Sequence, residues 1–152
     1  MALETVLLAL GPSDAERVDR LAAETIDIAG PSGATVVLGH VFTESEYERA
    51  VDRLGFDPTA TEVSPQEVAG RHATVRELAE RLEAADVDIA VGGAIGDHGE
   101  SIVGLAEESG ADMVIVGGRQ RSPAGKAVFG STAQTVMLSA PCPVTFVRAD
   151  TS

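Results

Sequence analysis

Short apolar runs alternate with helix-patterned segments along the whole chain, and this alternation constrains the fold more than any other feature. Thr5–Leu10 is one continuous apolar run, as a strand buried on both faces would be. Ala34–Phe42 is a second, Asp112–Val116 a third and Pro143–Val147 a fourth. Val87–Val91 alternates apolar residues with Asp88, which suits a strand nearer a sheet edge. Between these runs lie helical patterns with start and stop signals. Ser13 and Glu16 have capping-box spacing; Val18, Leu21, Ala22 and Ile26 follow at helical intervals, and Gly30 is the expected stop. Thr43–Asp57 is acidic, with weak helical spacing through Tyr47, Val51 and Leu54; Phe56–Val63, containing Asp57-Pro58, reads as a loop.

Ser64-Pro65-Gln66-Glu67 is a strong helix start, with Ser at the cap, Pro at the first position and Glu at the third. Val68, His72, Val75, Leu78, Ala79 and Leu82 form its buried stripe. Gly92, Gly93 and Gly96 suggest a plain turn; Asp97 then caps a helix carrying Ile102, Leu105 and Ala106, ended by Gly110. Ser131–Ser139 is the last helix. The order βαβαβαβαβ predicts an α/β domain spanning residues 1–152, an open parallel sheet with right-handed crossovers. A chain of 152 residues is large enough to bury about 70% of its unfolded surface in one domain. Aromatics are only 3%, so the core must be built from Val, Leu, Ile and Ala.

Charge narrows the partners. Twenty-four Asp and Glu stand against eleven Lys and Arg, a formal charge of −13. Such a surface repels nucleic acid and anionic membrane, so neither is an expected partner. Ten of the eleven cations are Arg and one is Lys126, a balance that suggests a halophile's salt-rich cytoplasm, where screening removes self-repulsion; an ordinary acidic mesophilic protein is the plain reading. No basic region precedes the first apolar run, Glu4 interrupts it, and no run approaches about 18 residues; a cytoplasmic protein is expected. Cys142 is alone, between Pro141 and Pro143, and suits packing. His40, His72 and His98 are dispersed and offer no metal site; Asp14 and Asp97 suit helix first turns; no nucleophile–base constellation stands out.

In parallel α/β sheets ligands bind beyond the carboxyl ends of strands, at the topological switch point. The candidate ends are Leu10–Ser13, His40–Thr43, Gly92–Gly96 and Gly117–Lys126. The last is the most informative. Three of the eleven cations, Arg119, Arg121 and Lys126, fall within eight residues of it, in a glycine-rich loop before a helix N-terminus. Backbone amides, a helix start and positive charge suit an anion such as phosphate; a solvated surface loop is the plain reading. A Walker A loop fails: Gly125-Lys126 is present, but Gln120 stands at the first glycine and Ala127 at the hydroxyl position. A Rossmann GxGxxG is not supplied by Gly11-Pro12-Ser13.

Gly117, then Gly130-Ser131 opening a helix, resembles the G-x-x-G-(nine residues)-G-[S/T] loop of the universal stress protein family. VLLALGPSDAE, GHVF, Gly96 before Ile102, GADMVIVGG and the closing PCPVTFVR match that family in register. The resemblance covers essentially the whole chain. It implies a five-stranded parallel sheet of order 3-2-1-4-5 in a three-layer α/β/α, Rossmann-like, adenine nucleotide alpha hydrolase-like fold. It also implies a stress-response or regulatory module that binds an adenine nucleotide such as ATP, with Mg or Mn as an accompanying ion. Gly117, Gly118, Gly130, Ser131 and Thr132 would hold phosphates, Arg119, Arg121 or Lys126 would supply charge, and Val116 would close the strand end. Gly11, Pro12 and Val41 would flank the base. Without a ligand, Gly117 and Gly118 turn the chain, Val41 packs in the core, and Ser131 with Gln134 forms a capping box.

Two departures stand out. Gln120 replaces the second motif glycine, and Gly11 stands where nucleotide-binding members carry an Asp that contacts adenine. The alternative is therefore a family member that binds no nucleotide and acts through protein–protein contacts. Any ATP hydrolysis is expected to be slow, since no residue is identified to position a water. Members of the family commonly dimerise through the last strand, and Pro143–Arg148, apolar at an expected sheet edge, suits a homodimer.

Overall fold

The computed structural model describes residues 3–55, 64–118 and 131–148. Five strands form one sheet: β1 Thr5–Leu10, β2 Thr35–Phe42, β3 Ile89–Ile95, β4 Met113–Gly118 and β5 Val144–Arg148. Their order is β3-β2-β1-β4-β5, every neighbouring pair is parallel, and the alternating-pattern strand lies at an edge as expected. The helices are α1 Val18–Ser32, α2 Glu44–Arg53, α3 Pro65–Arg71, α4 Ala73–Ala84, α5 His98–Ser109 and α6 Ser131–Ser139.

The continuous apolar runs are explained by burial on both faces. Val6, Leu8 and Leu10 of β1, with Val36 and Leu38 of β2, pack under α1 and α4 against Leu21, Leu78 and Leu82. Leu7 and Ala9, with Val41, pack on the other face against Ile102 and Leu105 of α5 and Val136 of α6. A smaller cluster of Phe42, Val68 and Ala69 joins the end of β2 to α3 and α2. Cys142 is half-buried at the edge of the second cluster.

Several boundaries differ from the sequence expectation. The helical start after β1 is a 3-10 turn, Pro12–Arg17, with Gly11 rather than Ser13 at the cap position. Asp14 makes this cap: its carboxylate accepts the Gly11 N–H at 2.7 Å. Gly30 does not stop α1; the helix continues through Pro31 to Ser32, and Gly33, at φ 68°, provides the left-handed C-cap. The single helix expected after Ser64 is two helices, broken at His72, whose backbone is extended and whose ring accepts the Thr74 N–H. Gly92 and Gly93 are not a turn but the middle of β3, paired with Gly39 and His40. β2 is long enough to recruit them, and the missing side chain of Gly93 lets α3 sit on the sheet: a Cβ there would collide with the Pro65 carbonyl. Gly117 and Gly118 likewise extend β4, paired with Val147 and Arg148. Thr43 caps α2 in a capping box with Glu46, Asp97 caps α5, and Gly110 ends it at φ 66°. The expected loop Phe56–Val63 lies outside the described residues.

No helix among the described residues is long and apolar enough to cross a membrane.

Candidate functional site

β1 lies between β2 and β4, so the chain leaves β1 and β4 towards opposite faces of the sheet, and a cleft opens between their carboxyl ends. Its volume is about 480 Å³, within the usual range for small-molecule sites. Gly11 and Pro12 line it after β1, Val41 at the end of β2, and Val116, Gly117 and Gly118 at the end of β4. Thr132 and Ala133, in the first turn of α6, close the far side. Seven of the residues expected from the sequence therefore surround one cavity although they come from four separate segments. Val41 also packs in the core, almost fully buried, so its two readings coexist. Arg119, Gln120, Arg121, Lys126 and Gly130 lie outside the described residues; Ser131 opens α6, and its side chain is likewise outside them.

Four ionisable residues of the cleft were not expected in it. Asp14 is buried beside Gly11, and Arg17 lies 3.2 Å from its carboxylate. Burial pushes the Asp14 carboxyl up to about 6, against the pull of the Gly11 amide and the Arg17 guanidinium. The two side chains occupy the space beside Gly117, where an added Cβ would come within 2.9 Å of Arg17 Cδ. The first-turn spacing of Asp14 was visible in the sequence; its position in the cleft depends on the 3-10 turn.

Glu46 and His98 form the other pair. His98 Nε2 and Glu46 Oε1 are 2.6 Å apart, linking the start of α2 to the start of α5 across the cleft margin. The same Glu46 oxygen accepts the Thr43 N–H. Burial pushes the Glu46 carboxyl up, but the Thr43 amide and His98 outweigh it and hold it below its ordinary value. The two residues are 52 positions apart, and no local pattern signals their meeting. No group of three or more His, Cys, Asp or Glu among the described residues is arranged to hold a metal ion.

The cleft thus joins glycine backbone and a helix N-terminus on one side to an apolar wall of Val41, Ile102 and Val116 on the other. Such a site suits a ligand with an anionic end and a flat, largely apolar body.

Comparison with known proteins follows the same line. No curated protein is matched by this sequence. Among solved structures, a universal stress protein in complex with cAMP is 24% identical over 99% of this chain and 100% of its own, with a TM-score of 0.66. The Archaeoglobus fulgidus universal stress protein in complex with dAMP is 22% identical, covering 97% and 100% with a TM-score of 0.56. An Arabidopsis thaliana universal stress protein family protein with AMP bound is 14% identical, covering 97% and 92% with a TM-score of 0.65. At these identities the likeness is one of fold. The universal stress protein family itself matches residues 3–148. With nearly the whole sequence matched and the sheet order in agreement, this chain belongs to the universal stress protein family.

Proposed function

We propose that the chain binds an adenine nucleotide, ATP in the first instance, as a stress-response or regulatory module. The observation that carries this reading is the cleft at the switch point, where Gly11, Pro12, Val41, Gly117 and Thr132 come together. That relatives of the same fold hold cAMP, dAMP and AMP supports it. In this reading the base lies against Val41 and Pro12. The phosphates face Gly117, Gly118 and the start of α6, with Gly130 and Ser131 completing the cradle and Arg119, Arg121 or Lys126 supplying charge. Mg²⁺ or Mn²⁺ would accompany the phosphates. Asp14 addresses one departure of the sequence: its carboxylate reaches back to the Gly11 N–H and sets an acidic oxygen at the end of β1, where Gly11 has none. Turnover is expected to be slow.

Titration calorimetry with ATP and AMP in molar potassium chloride, with and without Mg²⁺ or Mn²⁺, tests this. Saturable binding is expected. Gly130→Val should abolish it by blocking backbone approach, and Gln120→Gly should strengthen it. Absence of binding by either nucleotide at millimolar concentration overturns the reading and leaves a member that acts through protein contacts.

The homodimer belongs to the same proposal. Among the described residues β5 pairs only with β4, so its outer edge is open. Leu138, 78% exposed, and Met137 lie on the neighbouring helix α6. A second copy pairing along β5 would cover both edge and patch.

A further inference from the structure

A second cavity, also about 480 Å³, opens at the same end of the sheet. His40 lines it from the face of β2 shared with Val36 and Leu38, whereas Val41 of the other face lines the nucleotide cleft. Pro12 and Glu46 stand between the two cavities and border both. The floor is aromatic: the His40 ring lies tilted against Phe42, with centroids 4.4 Å apart, and against His72, 4.2 Å apart. Ala50, Leu54 and Ala73 give apolar walls.

The rim is basic. Arg49 and Arg53 lie one turn apart on α2, and Arg71 and Arg76 flank the break between α3 and α4. Four of the chain's eleven cations are thus gathered at one cavity of a protein with a charge of −13. Arg20 and Arg81 each meet a carboxylate, but Arg49, Arg53 and Arg76 form no ion pair among the described residues. The one acidic side chain of the lining, Glu46, is engaged by Thr43 and His98.

His40 adds an independent observation. It is 1% exposed, and neither ring nitrogen has a well-aligned hydrogen-bond partner among the described residues; the Val41 backbone beside it acts only weakly. Buried polar atoms are nearly always satisfied, so such a ring at a cavity floor points to a partner that enters the cavity. Burial, with His72 beside it, holds the ring neutral, leaving one N–H donor and one acceptor nitrogen.

We propose that this cavity is a second binding site, for a small organic anion with a flat apolar body. Its carboxylate or phosphate is held by the arginine rim, its body lies on the His40–Phe42–His72 floor, and a polar atom reaches His40. Guanidinium forks suit either anion, and a floor of aromatic rings suits a planar body. This site stands whether or not the neighbouring cleft takes a nucleotide.

Calorimetric titration of the full chain with phenyl phosphate and with benzoate tests it, and the stronger of the two identifies the anion type. Inorganic phosphate supplies charge without the body, and benzyl alcohol the body without charge. At least one aromatic anion should bind about tenfold more tightly than either half-probe. The double variant Arg53→Gln/Arg76→Gln should weaken it about tenfold, and excess ATP should not displace it. Binding should also shift the His40 ring signals in NMR spectra. The proposal is overturned if neither aromatic anion binds at about ten millimolar or if inorganic phosphate binds equally well. Unchanged affinity in the arginine variant, or competitive displacement by ATP, also overturns it.

Discussion

His40 and Asp14 are the two buried ionisable side chains whose titration is most displaced, and the displacements act oppositely on stability. Burial lowers His40 to about 3, so the unfolded chain takes up a proton first as pH falls below about 6.5. Its contribution is therefore present at neutral pH and lost between about 6.5 and 3, by roughly 5 kcal/mol over the full window. His40→Leu should remove this loss, giving urea-unfolding free energies that fall less between pH 7 and 4; an unchanged slope would count against a neutral buried ring. Asp14 is raised to about 6, so the native state holds its proton longer as pH rises. Its contribution is complete below about 3.8 and is lost by about pH 6, on the order of 2–3 kcal/mol. Asp14→Asn keeps an acceptor for the Gly11 N–H and should lose that pH dependence, a difference visible by comparing the two proteins at pH 4.5 and 7.

Helix ends show where local signals suffice and where they do not. Gly30 lies inside α1 with open space around its missing Cβ, whereas Gly33 sits at φ 68°. Gly30→Ala should therefore stabilise by about 0.5–1 kcal/mol, and Gly33→Ala should destabilise by roughly 1–2 kcal/mol; thermal melting of both variants decides this. Thr43→Ala removes the α2 cap and should cost about 1 kcal/mol. Gly93→Ala forces a side chain against the Pro65 carbonyl and should cost roughly 1–3 kcal/mol, with α3 displaced. The caps at Ser64 and Asp97 were legible because a cap is a contact three residues long. The break at His72 was not: its ring fits the apolar stripe of a continuous helix, yet the chain turns there and the ring lies tilted against His40. Nor was the strand character of Gly92 and Gly93 legible, because the partner that makes them a strand is Gly39-His40, more than fifty residues away.

The charge balance acts on the molecule as a whole. A charge of −13 on 152 residues is self-repelling, and salt screens that repulsion. Removal of potassium chloride from molar to millimolar levels should lower the circular-dichroism helix signal and the melting temperature. Full retention of both would count against adaptation to a salt-rich cytoplasm. The distribution of cations modifies the picture drawn from the sequence. Residues 119–126 concentrate three of them along the chain, but tertiary folding gathers four, Arg49, Arg53, Arg71 and Arg76, at a cavity that no stretch of sequence announces.

The sequence by itself determined the order of the five strands, the parallel sheet and three of the four candidate strand ends that form the cleft. It could do so because burial on both faces writes continuous apolar runs and helix caps write short-range pairs. Only the tertiary structure decided what faces what. Asp14 and Arg17 enter the cleft through a 3-10 turn, Glu46 meets His98 across it, and His40 is left buried, its ring nitrogens without a well-aligned hydrogen bond, beside four arginines. These juxtapositions join residues far apart in the chain or depend on a local turn that packing selects, and neither leaves a periodicity to be read.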